Sequence, residues 1–109
     1  MAELLGIFEQ AVLLAIRRLA GDAYGRLILR EVSAALDREA AAGAVYATLD
    51  RLEAKGLATS TLKPGTAQRG GRPRRYYTLT GEGLKAMDQT RAALDRMWSA
   101  EAKSQEGLA

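Results

Sequence analysis

Six cations and no anion lie between Glu53 and Glu82: Lys55, Lys63, Arg69, Arg72, Arg74 and Arg75. The chain has 109 residues and a net charge of +3, so this segment carries +6 and leaves −3 for the remainder. A loop kept soluble by charge ordinarily mixes signs. One-signed charge gathered on a short segment suits a polyanion instead. The rest of the inventory points to binding rather than bond-making. There is no histidine and no cysteine, which removes the commonest general base and metal ligand together with any disulfide or thiolate site. No close carboxylate pair stands apart from solvated helix faces, so neither catalysis nor a metal or other cofactor is expected.

The element that must present these cations precedes them. In 43–56, Val45, Leu49 and Leu52 recur at i, i+4, i+7 and define one side of a helix. Tyr46, Thr48, Arg51 and Lys55 fall outside that stripe, and Gly56 stops the helix. Strand-compatible residues follow at 57–62 and 74–79, joined by a loose tip at 68–73. In the second strand Arg75, Tyr77 and Leu79 share one face, and Arg74, Tyr76 and Thr78 share the other. Which tyrosine is buried stays open at this level. A short helix followed by a basic hairpin is the order of a winged helix-turn-helix, with duplex DNA as the expected partner.

Two helices precede this unit and one follows it. The first, 4–19, has two adjoining apolar stripes: Leu5, Phe8, Val12, Ala15, Ile16 and Leu19 beside Leu4, Ile7, Ala11 and Leu14. They cover more of the circumference than the ~100° of an ordinary surface helix, so part of that surface is expected to meet a second chain. The second helix, about 23–36, is expected to start on Asp22 as its cap, with Arg26, Arg30 and Arg38 outward. Thr80 is expected to cap the last helix, which at 81–102 would extend about 33 Å. Leu84, Met87, Leu94 and Trp98 form a seam along it, and 103–109 are expected to fray. The fold class is therefore mostly α with a small β-hairpin: a winged helix-turn-helix at 1–80 and a C-terminal dimerisation helix and tail at 81–109. No apolar run reaches the ~20 residues of a membrane span, and no secretory signal opens the chain, which fits a cytoplasmic protein.

Five stretches are similar to a known family. They are Leu-Gly-Ile-Phe-Glu at 5–9, Asp-Ala-Tyr-Gly at 22–25, Gly-Ala-Val-Tyr-Ala-Thr-Leu-Asp-Arg-Leu-Glu-Ala-Lys-Gly-Leu at 43–57, Arg-Gly-Gly-Arg-Pro-Arg-Arg-Tyr-Tyr at 69–77, and Leu-Thr at 79–80. In this order and spacing they resemble the PadR family of bacterial transcriptional regulators, and its smaller members with a single C-terminal helix. The resemblance implies a homodimeric repressor on a pseudo-palindromic operator in double-stranded DNA. The third helix would enter the major groove and the wing would contact the backbone or the minor groove. By position it implies DNA contacts from Ala44, Tyr46, Ala47, Thr48 and Arg51 on the helix, and from Arg69, Arg72, Arg74 and Arg75 in the wing. It also implies a small aromatic or hydrophobic effector near the dimer interface, for which Trp98, Leu94 and Phe8 are the candidates.

Alternatives accompany these assignments. Tyr46 can stack on a sugar, bond a phosphate or pack between helices, and Thr48 can offer its methyl to thymine. Trp98, Met87 and Met97 fit a dry interface as well as a ligand site. A winged-helix module for protein partners, or a small-molecule binder without DNA, would share much of this pattern but not the wing charge. One departure stands out: Glu39-Ala40-Ala41-Ala42 lacks the serine or threonine that relatives place before the recognition helix. Loss of such a cap costs about 1 kcal/mol.

Overall fold

Glu9 turns back to accept the Gly6 N–H at 3.1 Å, and this contact opens the first helix, α1 (Ile7–Leu19). The structure, a computed structural model, describes residues 3–108. It continues with α2 (Gly25–Leu36), α3 (Ala42–Ala54), strands β1 (Ala58–Lys63) and β2 (Arg74–Leu79), and α4 (Gly81–Leu108). The strands form a two-stranded antiparallel sheet in register from Ala58 opposite Leu79 to Lys63 opposite Arg74. A single core joins Val12, Leu13 and Ile16 of α1, Ile28 and Val32 of α2, and Val45, Leu49 and Leu52 of α3. Tyr77 from β2 and Met87 from α4 close it. Tyr77, not Tyr76, is therefore the buried tyrosine of the wing.

The boundaries depart from the sequence expectation in three places, twice through a distant partner and once through helix propensity. Residues 4–6 lie outside the helix, with Gly6 extended, and the Leu5 N–H donates instead to Thr90 Oγ1 of α4 at 3.0 Å. Asp22 does not cap α2; it lies in a 3₁₀ turn, Ala20–Asp22, and Tyr24 is the residue before the helix. The hairpin is responsible. The Ala23 carbonyl accepts the Tyr77 N–H at 2.8 Å and Tyr24 bridges Tyr76, so the chain there is held extended. Finally, α4 does not fray at 103 but runs on to Leu108. Alanine, lysine, glutamine and glutamate are good helix formers, and Gln105 donates to Glu101 one turn back at 3.2 Å. Ala109 lies outside the described residues.

Of the second apolar stripe of α1 and its approach, Ala11 is buried while Leu4, Ile7 and Leu14 are exposed, Ile7 by 71 %. Leu13, outside both expected stripes, is buried instead.

The joint between α3 and α4 is tight. At the end of α3, Gly56 takes a φ of +78° and the Leu57 N–H reaches the Leu52 carbonyl at 2.9 Å, a left-handed helix stop. Thr80 then caps α4 as expected, its Oγ1 accepting the Gly83 N–H at 3.0 Å. The same hydroxyl donates to the Gly56 carbonyl at 2.7 Å, and the Thr80 N–H donates to the Leu57 carbonyl at 3.2 Å. Gly83 presses so near that carbonyl that any side chain at 83 would collide with it.

Candidate nucleic-acid interface

The solvent side of α3 is made of small residues. Gly43, Ala44 and Ala47 are exposed there with Tyr46, Asp50 and Arg51. Ala41 precedes the helix and provides no side-chain cap, so the missing hydroxyl of the sequence is not replaced by another residue. Thr48 is a correction. It is only 1 % exposed and its Oγ1 accepts from Arg51 Nη2 at 3.0 Å, so its methyl cannot meet a base. The stripe of α3 is wider than Val45, Leu49 and Leu52. Position 48, three beyond Val45 and next to Leu49, lies within it, and the paired hydroxyl makes that burial tolerable.

Lys55 is also drawn away from the outward face. Its Nζ lies 3.1 Å from Glu3 and 3.2 Å from Glu9, which ties the end of α3 to the start of α1. The carboxylates hold the Lys55 ammonium above its ordinary pKa, with Glu3 first and Glu9 next. Burial alone would raise the Glu9 carboxyl, but the Gly6 N–H, Lys55 and Arg51 outweigh it and hold it below the usual carboxylate value.

The wing arginines divide by task. Arg69 staples the tip, donating from Nη2 to the Pro64 carbonyl at 2.7 Å and from Nε to the Arg72 carbonyl at 3.4 Å. Arg75 donates to Ser60 Oγ at 3.0 Å, and Ser60 donates onward to Glu53 at 2.7 Å, so this guanidinium braces the wing on α3. Arg72 is exposed on the tip, and Arg74 lies over the Tyr24 ring at 4.0 Å. Tyr24 in turn meets Tyr76 edge-on at 5.6 Å, and Lys63 covers Tyr76 at 4.3 Å. Among the described residues no wing arginine makes a direct ion pair with a carboxylate.

Between these groups lies an open cleft of about 660 Å³. Tyr24, Gly25 and Arg26 at the start of α2 and Tyr46 of α3 form one wall, and Arg69, Arg72, Arg74 and Arg75 form the other. No acidic residue lines it. The structure thus brings Tyr46 together with all four wing arginines, although among the described residues only the Arg72 and Arg74 side chains lack a hydrogen-bonding partner. At its floor, burial keeps the Tyr77 phenol protonated, with the Asp50 and Glu53 carboxylates adding to the rise in its pKa.

Tyr24 and Gly25 of the cleft, and Asp50 on the exposed face of α3 beside it, are what sequence reasoning missed. Tyr24 reads as an inward residue of α2, and the signal that could have corrected this is the glycine beside it. A Cβ on Gly25 would stand 2.6 Å from the Tyr46 hydroxyl, so the bare backbone is what seats that ring. Phe8, Leu94 and Trp98, the candidates for an effector at the dimer interface, differ in burial. Phe8 packs partly buried on the core, Leu94 is half-buried, and Trp98 is 71 % exposed near the far end of α4. None of the three lines the wing cleft or the shallow depression around Asp95, Arg96, Ser99, Ala100 and Lys103.

Three helices packed through one core, a hairpin wing and a cationic cleft beside an exposed third helix define a winged helix-turn-helix protein with a long C-terminal helix. Residues 12–89 match the model of the transcriptional regulator PadR-like family. The chain belongs to that family. It is similar to a PadR family transcriptional regulator from Eggerthella lenta, with 28 % identity and a TM-score of 0.69 over 87 % of this chain and 80 % of the other. A PadR-like transcription factor from Bacteroides fragilis is 25 % identical, with a TM-score of 0.70 over 95 % and 91 %. A PadR family regulator from Clostridium difficile, at 24 % identity and a TM-score of 0.62 over 95 % and 100 %, supports the fold alone. No curated protein matches the chain. Among the described residues no helix is long and apolar enough to cross a membrane.

Proposed function

We propose that two copies of this chain bind a pseudo-palindromic DNA duplex and repress transcription from it until a small hydrophobic or aromatic effector releases them. The observation that carries the DNA reading is the acid-free arginine cleft beside the small-residue face of α3. Gly43, Ala44 and Ala47 let the helix backbone approach the major-groove floor, where alanine suits a thymine methyl. Asp50 on the same face accepts from a base amino group, as a carboxylate does from cytosine. With no cap at Ala41, the first amides of α3 are free to meet a phosphate directly. A protein-binding module would want an apolar or mixed-charge surface where these arginines stand.

Dimerisation is supported by the apolar residues that one chain leaves in water: Leu4, Ile7 and Leu14 at the first helix, and Leu84, Met97 and Trp98 on α4. Seating two recognition helices about 34 Å apart gives the operator its two half-sites. Trp98 is the natural reporter for an effector at that seam.

The test is a duplex titration across salt concentrations. Arg72→Ala and Arg74→Ala should weaken binding to operator and random duplex alike, each flattening the salt dependence by about one unit of slope. Full affinity of the double variant at every salt concentration would remove the wing from the interface.

A further inference from the structure

Two adjacent residues at the start of α2 touch two different elements of the cleft. Tyr24 lies under Arg74 of the wing at 4.0 Å, and Gly25 lies under Tyr46 of α3. We infer that the Tyr24-Gly25 pair is a positioning element that presets the distance between the wing cation and the recognition helix before DNA arrives.

The geometry behind this is one-sided. Arg74 has no hydrogen-bonding or ion-pair partner among the described residues; only the ring face of Tyr24 holds it. That ring is itself fixed twice, by the backbone bridge from Tyr24 to Tyr76 and by the edge-on contact of their rings. Lys63 covers the outer ring, so in the series Arg74, Tyr24, Tyr76, Lys63 two cations flank an aromatic pair across the wing root. A cation held over a ring face keeps its N–H groups free at its edge for phosphate oxygens, unlike one held by a carboxylate. Tyr46 is half exposed, and it can rest on α2 only because residue 25 has no side chain. Since 24 and 25 are consecutive, neither contact can shift without the other. An ordered guanidinium loses less rotamer freedom on binding, which favours affinity.

This inference rests on the DNA reading above, and double-mutant cycles separate the two. A cation–π contact of ~0.5–2 kcal/mol corresponds to a loss of about 2- to 30-fold in duplex affinity for Tyr24→Leu. That loss should come with a salt slope flatter by up to about one unit. In an Arg74→Ala background the same change should cost nothing further, and Tyr24→Phe should retain binding. Likewise Gly25→Ala should lose about as much affinity as Tyr46→Ala, and nothing more when Tyr46 is already alanine. Because Tyr24→Leu can loosen the fold, the ring is also changed in place. Replacing Tyr24 by phenylalanine and then by its pentafluoro analogue keeps the shape and removes the negative ring face, and affinity should fall with fluorination while the melting temperature holds. Equal losses in both Arg74 backgrounds, or indifference to fluorination, overturn the positioning role and leave DNA binding intact. A native chain that ignores duplex at low salt overturns both.

Discussion

Lys55 holds two carboxylates from the beginning of the chain, and Glu9 is the better sheltered of them. Its folded pKa lies below the unfolded value, so the stabilisation is present above the unfolded carboxylate pKa and is lost as pH falls through the folded one. Lys55 behaves oppositely: its raised pKa stabilises below the unfolded lysine value, and that is lost as pH rises through the folded value. Glu9→Gln should therefore lower the urea midpoint at neutral pH, and its deficit should shrink as pH falls through the lowered Glu9 value. A deficit constant across that acid range would show that the carboxylate charge is irrelevant. Individual residues were the least legible part of the sequence. Thr48, Arg75 and Lys55 carry polar atoms that suit an interface as well as a buried or braced position. Type and spacing alone do not say that Thr48 meets Arg51, or that Arg75 meets Ser60. Arg72 and Arg74 stand clear of acidic residues in the chain, as Arg75 does, and only the fold distinguishes them from it.

Elements were far more legible, since the stripe of α3, the threonine-rich strand and the cap before α4 each have a local cause. β2 begins and ends where its pattern of arginines and tyrosines does. The misses at the starts of α1 and α2 occurred where a distant partner overrode a local preference, as when the Tyr77 N–H recruited Ala23 and displaced Asp22 from its capping role. Thr80 is the reverse case, a local cap that also serves a tertiary contact. Thr80→Val should cost at least the ~1 kcal/mol of an ordinary cap, read as a lower denaturation midpoint. Gly83→Ala should cost more, because the new methyl meets the Leu57 carbonyl and α4 must lift away. A midpoint equal to that of the native chain would mean the joint is looser than it looks. On α3, Ala47→Glu should leave the midpoint unchanged and abolish duplex binding, since that position is open to solvent and the added carboxylate would enter the groove of a polyanion in the proposed complex.

At the scale of the whole molecule, the described chain measures 64 × 31 × 21 Å, and α4 accounts for the long dimension. Its 28 residues extend about 42 Å, and from Asp95 to Gly107 every described side chain is exposed. A helix this long with Met97 and Trp98 in water is poorly supported by its own chain. Sedimentation should find a dimer, and Met97→Asp with Trp98→Asp should yield monomers that bind an isolated half-site but not the spaced pair cooperatively. A stable dimer of the double variant would move the interface elsewhere. The architecture was visible in the amphipathic patterns, whereas the arrangement of a second copy depends on surfaces that one chain leaves uncovered.

The seamless meeting of Gly83 with the Leu57 carbonyl has a mechanical result. With no side chain between them to act as a bearing, a rotation of the C-terminal rod would be passed to the end of α3 as through a rigid crank. In the proposed dimer, whatever wedges into the seam between two rods would re-aim both heads at once, and a tilt of a few degrees there would carry them off the period of the double helix.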